Sequence, residues 1–186
     1  MVNQIEETVL IGGDSGQVLT YDLQSRELID IWGVGQKITA LASLSLEEGG
    51  FIIAAGTVSG SVFIRQDWEE IIPRYHSVSN RSINDLAFSP NGQLLAAACS
   101  DKFIYLFQLN DNDFVKLQGC KLESGFPVSL NFSKDSKKIL VTTNLRKMLL
   151  LDPGSYTILT RVEDICQCFW EQWVGRYALV TKSQSS

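Results

Sequence analysis

A strand-rich segment that returns every 42 to 44 residues constrains this 186-residue chain more than any other feature. Gly16-Gln17-Val18-Leu19-Thr20-Tyr21 is followed 44 positions later by Gly60-Ser61-Val62-Phe63-Ile64-Arg65. Lys102-Phe103-Ile104-Tyr105-Leu106-Phe107 comes 42 further on, and Arg146-Lys147-Met148-Leu149-Leu150-Leu151 another 44. Apolar and β-branched residues fill each copy, which suits a strand. A second strand precedes each one, over residues 8–13, 51–57, 94–100 and 138–143. The turns between hold Asp14-Ser15-Gly16, Ser59-Gly60, Asp101-Lys102 and Asn144-Leu145-Arg146. Gly and Asn accept the positive φ that tight hairpins need.

Two more strands complete the unit. An opening strand reads Ile38-Thr39-Ala40-Leu41-Ala42, Ile83-Asn84-Asp85-Leu86-Ala87-Phe88 and Val128-Ser129-Leu130-Asn131-Phe132. A more polar outer strand is predicted over 27–32, 69–75, 114–122 and 156–162. No stretch keeps apolar residues at helical spacing over three turns. Four short strands in ~44 residues are the signature of a β-propeller blade. The fold class is therefore all-β, with about four blades of four antiparallel strands in a partial or open ring. The expected units are about 8–32, 38–75, 82–122 and 127–162. A fifth begins at 164–174, so the partial propeller covers 1–174 and an irregular tail follows over 175–186. The first unit is expected to lack its opening strand. Small residues such as Ala54-Ala55-Gly56 and Ala96-Ala97-Ala98 suit inner strands where sheets approach closely.

Phe88-Ser89-Pro90-Asn91-Gly92-Gln93-Leu94-Leu95-Ala96, followed by Ser100-Asp101-Lys102-Phe103-Ile104-Tyr105-Leu106-Phe107, resembles a WD repeat. Where that family closes a strand with Trp-Asp, this chain has Tyr21-Asp22, Arg65-Gln66, Phe107-Gln108 and Leu151-Asp152. The Gly-His pair that locks many WD blades is absent, because the single histidine is His76. Blade stability is expected to rest more on apolar packing. Over residues 80–174 the chain is similar to the echinoderm microtubule-associated protein-like (EML) family. Ser100 to Phe107, Gly119-Cys120-Lys121, Ser124-Gly125-Phe126-Pro127-Val128 and Asp164-Ile165 carry that likeness. The resemblance implies a cytoplasmic, cytoskeletal protein that binds tubulin or microtubules. The alternative is a general WD scaffold in a ciliary or ubiquitin-ligase complex. WD rings usually have seven blades, which needs roughly 300 residues. A shorter chain points to a fragment, a truncated form or an open half-ring. Open edges and faces predict self-association.

Charge and composition exclude other classes. The net charge of −5 argues against nucleic acid, which demands a concentrated basic face, and against an anionic membrane surface. The start Met1-Val2-Asn3-Gln4-Ile5-Glu6-Glu7 lacks a basic and apolar leader pattern. No run of ~20 apolar residues spans a bilayer. Cys99, Cys120, Cys166 and Cys168 are too few and too uneven for a disulfide framework, so a reducing compartment is expected. Cys166-x-Cys168 lacks the further ligands a metal needs. No nucleophile elbow, P-loop or zinc-protease motif occurs, and Glu69-Glu70 on one strand would face opposite ways. Neither an enzyme activity nor a cofactor is expected.

The sites that remain are contacts with protein partners. The turn between second and third strands lies on the partner-binding face of WD proteins. That resemblance makes Asp14, Ser15, Ser59, Asp101, Lys102, Arg146 and Lys147 the candidate contact residues. Asp in such a turn equally serves local turn chemistry. Lys134, Lys137 and Lys138 belong to the turn at the other end of their strand, so they are expected to part from Arg146 and Lys147. Arg146 and Lys147 suit attraction of acidic tubulin tails.

Overall fold

Alternating apolar residues bounded by turn formers fold here into antiparallel strands throughout. The computed structural model describes residues 2–5, 8–46, 50–66, 72–110, 113–163, 168–174 and 177–182. The chain divides into two units, residues 1–86 and 87–186.

The first unit holds two four-stranded sheets. One runs β1 (Val2–Ile5), β2 (Thr8–Gly12), β3 (Gln17–Asp22), β4 (Leu28–Gly33) in spatial order. The other runs β5 (Ile38–Ser45), β6 (Phe51–Thr57), β7 (Ser61–Gln66), β8 (Arg74–Ser77). Register places Leu10, Thr20 and Asp30 in one row and Ile11, Leu19 and Ile31 in the next. Successive side chains point to opposite faces. Leu10, Val18 and Trp32 therefore share a buried core with Leu41, Phe51, Ile53 and Ala55 of the second sheet. Ile31 instead stays exposed, as does Ile11. Across the same core Arg65 reaches Asp30 at 2.5 Å, with side chains only 5% and 19% exposed.

In the second unit, interdigitating aliphatic faces join two further sheets. The third sheet runs β9 (Ile83–Phe88), β10 (Leu94–Cys99), β11 (Phe103–Asn110), β12 (Asp113–Lys116), and β13 (Cys120–Lys121) also pairs with β11. β9 carries the boundary between the units. The fourth sheet runs β14 (Pro127–Phe132), β15 (Ile139–Thr143), β16 (Met148–Asp152), β17 (Thr157–Val162). Ala96, Ala98, Ile104 and Leu106 pack with Leu130, Phe132, Ile139, Val141, Leu149 and Leu151 in one cluster. A hairpin of β18 (Cys168–Val174) and β19 (Tyr177–Lys182) ends the described chain.

Three expectations need correction. The first sheet has its opening strand: Val2–Ile5 pairs in full register with Thr8–Ile11. Its brevity and its central Asn3-Gln4 pair hid it among polar residues. The stretch expected as an irregular tail over 175–186 instead contains a strand, Tyr177–Lys182. Apolar and β-branched residues in Tyr177-Ala178-Leu179-Val180-Thr181 account for it, and 183–186 lie outside the described residues. The outer strand expected over 114–122 is broken in two. Gly119 lies so close to β11 that an added Cβ would stand 3.0 Å from the Ile104 carbonyl oxygen. The fifth-unit start at Asp164-Ile165 also lies outside the described residues.

Candidate partner-binding turns

Each sheet makes the same turn after its second strand. The amide of Gly16 donates to the Gly13 carbonyl at 3.1 Å, Gly60 to Thr57 at 3.2 Å, Lys102 to Cys99 at 3.2 Å and Arg146 to Thr143 at 3.2 Å. All four donors have positive φ, at 71°, 84°, 77° and 60°. In three sheets the same residue's carbonyl then anchors the end of the outer strand. Val34 N–H donates to Gly16, Val78 to Gly60 and Leu122 to Lys102. The repeat is thus conformational as well as sequential: Ser15, Ser59 and Asp101 take the third turn position and Lys102 and Arg146 the fourth, whereas Asp14 takes the second and Lys147 follows the turn.

Their side chains differ in freedom. Asp14 is exposed and pairs with Lys37 at 2.8 Å. The Lys37 ammonium, first as hydrogen-bond donor and then as charge, holds its carboxyl below the usual range. Ser15 accepts from the Gln17 amide at 3.3 Å. Ser59 hydrogen-bonds Gln36 and shares a contact with Thr57. Asp101 turns inward: it accepts from the Phe103 amide at 3.0 Å and from the Tyr105 hydroxyl at 2.7 Å. Burial, then the bond to Asp101, pushes Tyr105 ionisation well above its ordinary value. Lys102 and Arg146 are exposed cations on left-handed residues. Lys147 is held by Glu163 at 2.8 Å. Lys134, Lys137 and Lys138 precede β15 whereas Arg146 and Lys147 follow it, so the two basic groups stand at opposite ends of that strand.

Sequence reasoning missed the partners that engage three of these residues, namely Lys37, Tyr105 and Glu163. Tyr105 was legible as a strand residue, but its bond to the turn was not. Long-range pairs such as Lys147 with Glu163 depend on strand register, which the repeat alone leaves open.

The described residues contain no cluster of three or more potential metal ligands. Cys99 and Cys120 are both buried, and burial pushes the Cys120 thiol up, away from nucleophilic use. Cys166 and the Cys168 side chain lie outside what is described, as do Glu69 and Glu70. His76 sits half-buried on β8. No described helix is long and apolar enough to cross a membrane.

Residues 51–135 match a family model described as the anaphase-promoting complex subunit 4 WD40 domain. The chain is also similar to echinoderm microtubule-associated protein-like 1 of Rattus norvegicus. That match is 25% identical over 127 residues, 67% of this chain and 14% of the rat protein. Protein-like 2 of Homo sapiens is 23% identical over 130 residues, covering 69% of this chain and 20% of its own length. Protein-like 4 of Xenopus laevis is 27% identical over 120 residues, covering 63% and 13%. The matched stretch therefore spans a seventh to a fifth of the first two relatives. Blade-like sheets, a repeated turn, the WD40 match and these relatives make the chain a run of WD-repeat β-propeller blades that resembles the echinoderm microtubule-associated protein-like proteins.

Proposed function

We propose that the chain is a non-catalytic interaction scaffold that associates with microtubules or tubulin through its second-to-third-strand turns. One observation carries this reading. The first unit fills the turn's left-handed position with Gly16 and Gly60, whereas the second unit fills it with exposed Lys102 and Arg146. A non-glycine residue there costs roughly 1–2 kcal/mol. Strain retained at two corresponding positions is the kind of cost a functional surface carries. The relatives' names supply the target, a microtubule, and its anionic surface suits two exposed cations. Asp14, Ser15, Ser59, Asp101 and Lys147 complete the proposed contact set, with Asp14, Asp101 and Lys147 already held by neighbours. A cytoplasmic, cytoskeletal location accompanies this reading.

Co-sedimentation with taxol-stabilised microtubules, together with binding to free tubulin, tests it at two salt concentrations. Retention should weaken with salt and fall on charge reversal by K102E with R146E. Salt-insensitive retention, or retention unchanged in the double variant with a native β-rich circular dichroism spectrum, sinks the reading. The WD40 match to a complex subunit favours a second reading, a scaffold subunit of a larger assembly. Absence of microtubule binding by well-folded protein would favour that one.

Self-association belongs to the same proposal. Ile11, Ile29 and Ile31 leave apolar surface on the first sheet, and such surface promotes association. Light scattering at micromolar concentration should show oligomers, and a sharp monomer peak would count against them.

A further inference from the structure

The outer strand of the third sheet breaks where it crosses a pair of stacked rings. Phe103 and Tyr105 stand two residues apart on β11 and so share a face, with ring centroids 5.5 Å apart and planes 15° from parallel. Gly119 passes so close that an added Cβ would lie 3.4 Å from the Cδ1 atom of each ring. A lysine stands on each side of that crossing. The Lys116 ammonium lies 4.5 Å from the Tyr105 ring centre, and the Lys121 ammonium 5.6 Å from that of Phe103. Both distances are within cation–π range. The Tyr105 hydroxyl donates to Asp101 at 2.7 Å, which fixes that ring beneath its lysine.

The two cations are restrained but not neutralised. Both lysines are exposed, and neither pairs with a carboxylate among the described residues. Asp101 already accepts from the Phe103 amide and the Tyr105 hydroxyl. Glu123, two residues beyond Lys121, already binds Arg161. A ring beneath an ammonium limits the side chain's motion without cancelling its charge. Less freedom is then lost when an anion binds. In a chain of net charge −5, an uncompensated pair of lysines is a local reversal of sign.

We propose that Lys116 and Lys121 dock an extended acidic protein segment that presents carboxylates on alternate residues. Charge complementarity selects this occupant, since two cations without carboxylate partners favour anions and repel a basic segment. The rings are 5.5 Å apart, and alternate side chains of an extended segment share a face at a spacing of ~6.6 Å. Two carboxylates on such a segment can therefore meet both ammoniums. A nucleic acid strand would also bring negative charge, but its bases stack on open ring faces. Tyr105 is only 8% exposed, and each ring already has an ammonium over it. The site goes beyond the microtubule reading, because neither lysine belongs to the turn set and the occupant is defined by its carboxylates alone.

Aromatic NMR on the full chain tests it. One probe is an end-blocked five-residue peptide with glutamates at its second and fourth positions, and its twin has glutamines there. The acidic peptide should shift the Phe103 and Tyr105 ring signals saturably. The twin should bind roughly tenfold more weakly, the upper range for two exposed ion pairs. Lys116→Gln combined with Lys121→Gln should erase that difference, and the dispersion of the other aromatic signals reports the variant's fold. If the variant unfolds, raising salt roughly tenfold with the wild-type chain should erase the difference instead, and a preference untouched by salt sinks the idea. Equal binding of the two peptides, a preference that survives in the folded double variant, or no ring shift at millimolar peptide overturns the proposal. Tighter binding of a five-nucleotide single strand overturns it too, and would assign the pair to nucleic acid. Microtubule pelleting with K102E and R146E is a separate readout, so failure of either reading leaves the other measurable.

Discussion

The turn after the second strand is built alike in the two units but filled differently. In the first unit, a Cβ added to Gly16 would stand 2.6 Å from the Gln36 carbonyl oxygen, and one on Gly60 2.6 Å from the Ser79 and Arg81 oxygens. Neighbouring backbone closes over both turns, and only glycine leaves room. In the second unit Lys102 and Arg146 take the same left-handed φ and remain exposed. The backbone requirement is common to all four turns, whereas glycine is required only where the chain folds back. Where space is free, the position can carry a cation instead.

Gly60→Ala breaks this comparison most severely. The new methyl meets backbone, which cannot swing aside, and it also bears the left-handed penalty. A loss of at least about 3 kcal/mol is expected in urea unfolding. A loss below about 1 kcal/mol would mean that the loop over Gly60 yields and that the two units' turns are equivalent after all.

Next comes the way the sheets are joined. In the second unit the joint is aliphatic, built from Ile104, Leu106, Ile139 and Val141. The first unit inserts the buried Arg65–Asp30 pair, with Arg65 also 6.0 Å above the Trp32 ring. Thr20 Oγ1 and Trp32 Nε1 lie buried beside this core without a hydrogen-bond partner among the described residues. A buried pair contributes little net stability, yet removing one member strands the other. Arg65→Ala should therefore cost about 2–3 kcal/mol by urea unfolding, below the fully buried limit because Asp30 is partly exposed. Arg65→Met with Asp30→Leu should recover much of that loss. If the double variant is no better than the single one, the pair itself, not its desolvation, holds the first unit together.

Replacing Lys102 or Arg146 by glycine sharpens the turn comparison from the other side. Each change relieves a left-handed side chain, so thermal unfolding should show a gain of up to about 1 kcal/mol. Microtubule retention should fall in the same variants. Stability gained while binding is lost would separate function from folding at one position, and unchanged retention would return both residues to ordinary turn chemistry.

Most of the fold was legible because the repeat is written twice, in spacing and in residue type. Phe51–Thr57 and Ile83–Phe88 are strands over the whole of their expected spans. What was hidden lies where period and composition part company. Val2–Ile5 is too short to show alternation, and Gly119 splits an outer strand through a close approach that no local pattern announces. At the candidate site the turn was legible, since Gly16 and Gly60 mark it. The engagement of its side chains was not. Arg65 stands where this repeat family has a tryptophan, and its choice of Asp30 follows from sheets meeting across 35 positions of sequence.

The smallest expected effect separates the two acidic side chains of these turns. Asp14 is exposed and its carboxyl is lowered by Lys37. Its small contribution is present above the usual carboxylate value and lost as pH falls below it. Tyr105, donating to half-buried Asp101, behaves oppositely. Its folded value is raised above 10.0, so its contribution is complete below that pH and lost as pH rises through the raised value. Alkaline titration followed by tyrosinate absorbance should show one tyrosine ionising later than the rest. Asp101→Asn should move that step only partway back, because burial is the larger cause and survives the substitution. A complete return to the ordinary tyrosine value would make the turn carboxylate the controlling group, and Asp101 would then govern β11 as firmly as the glycines govern the first unit.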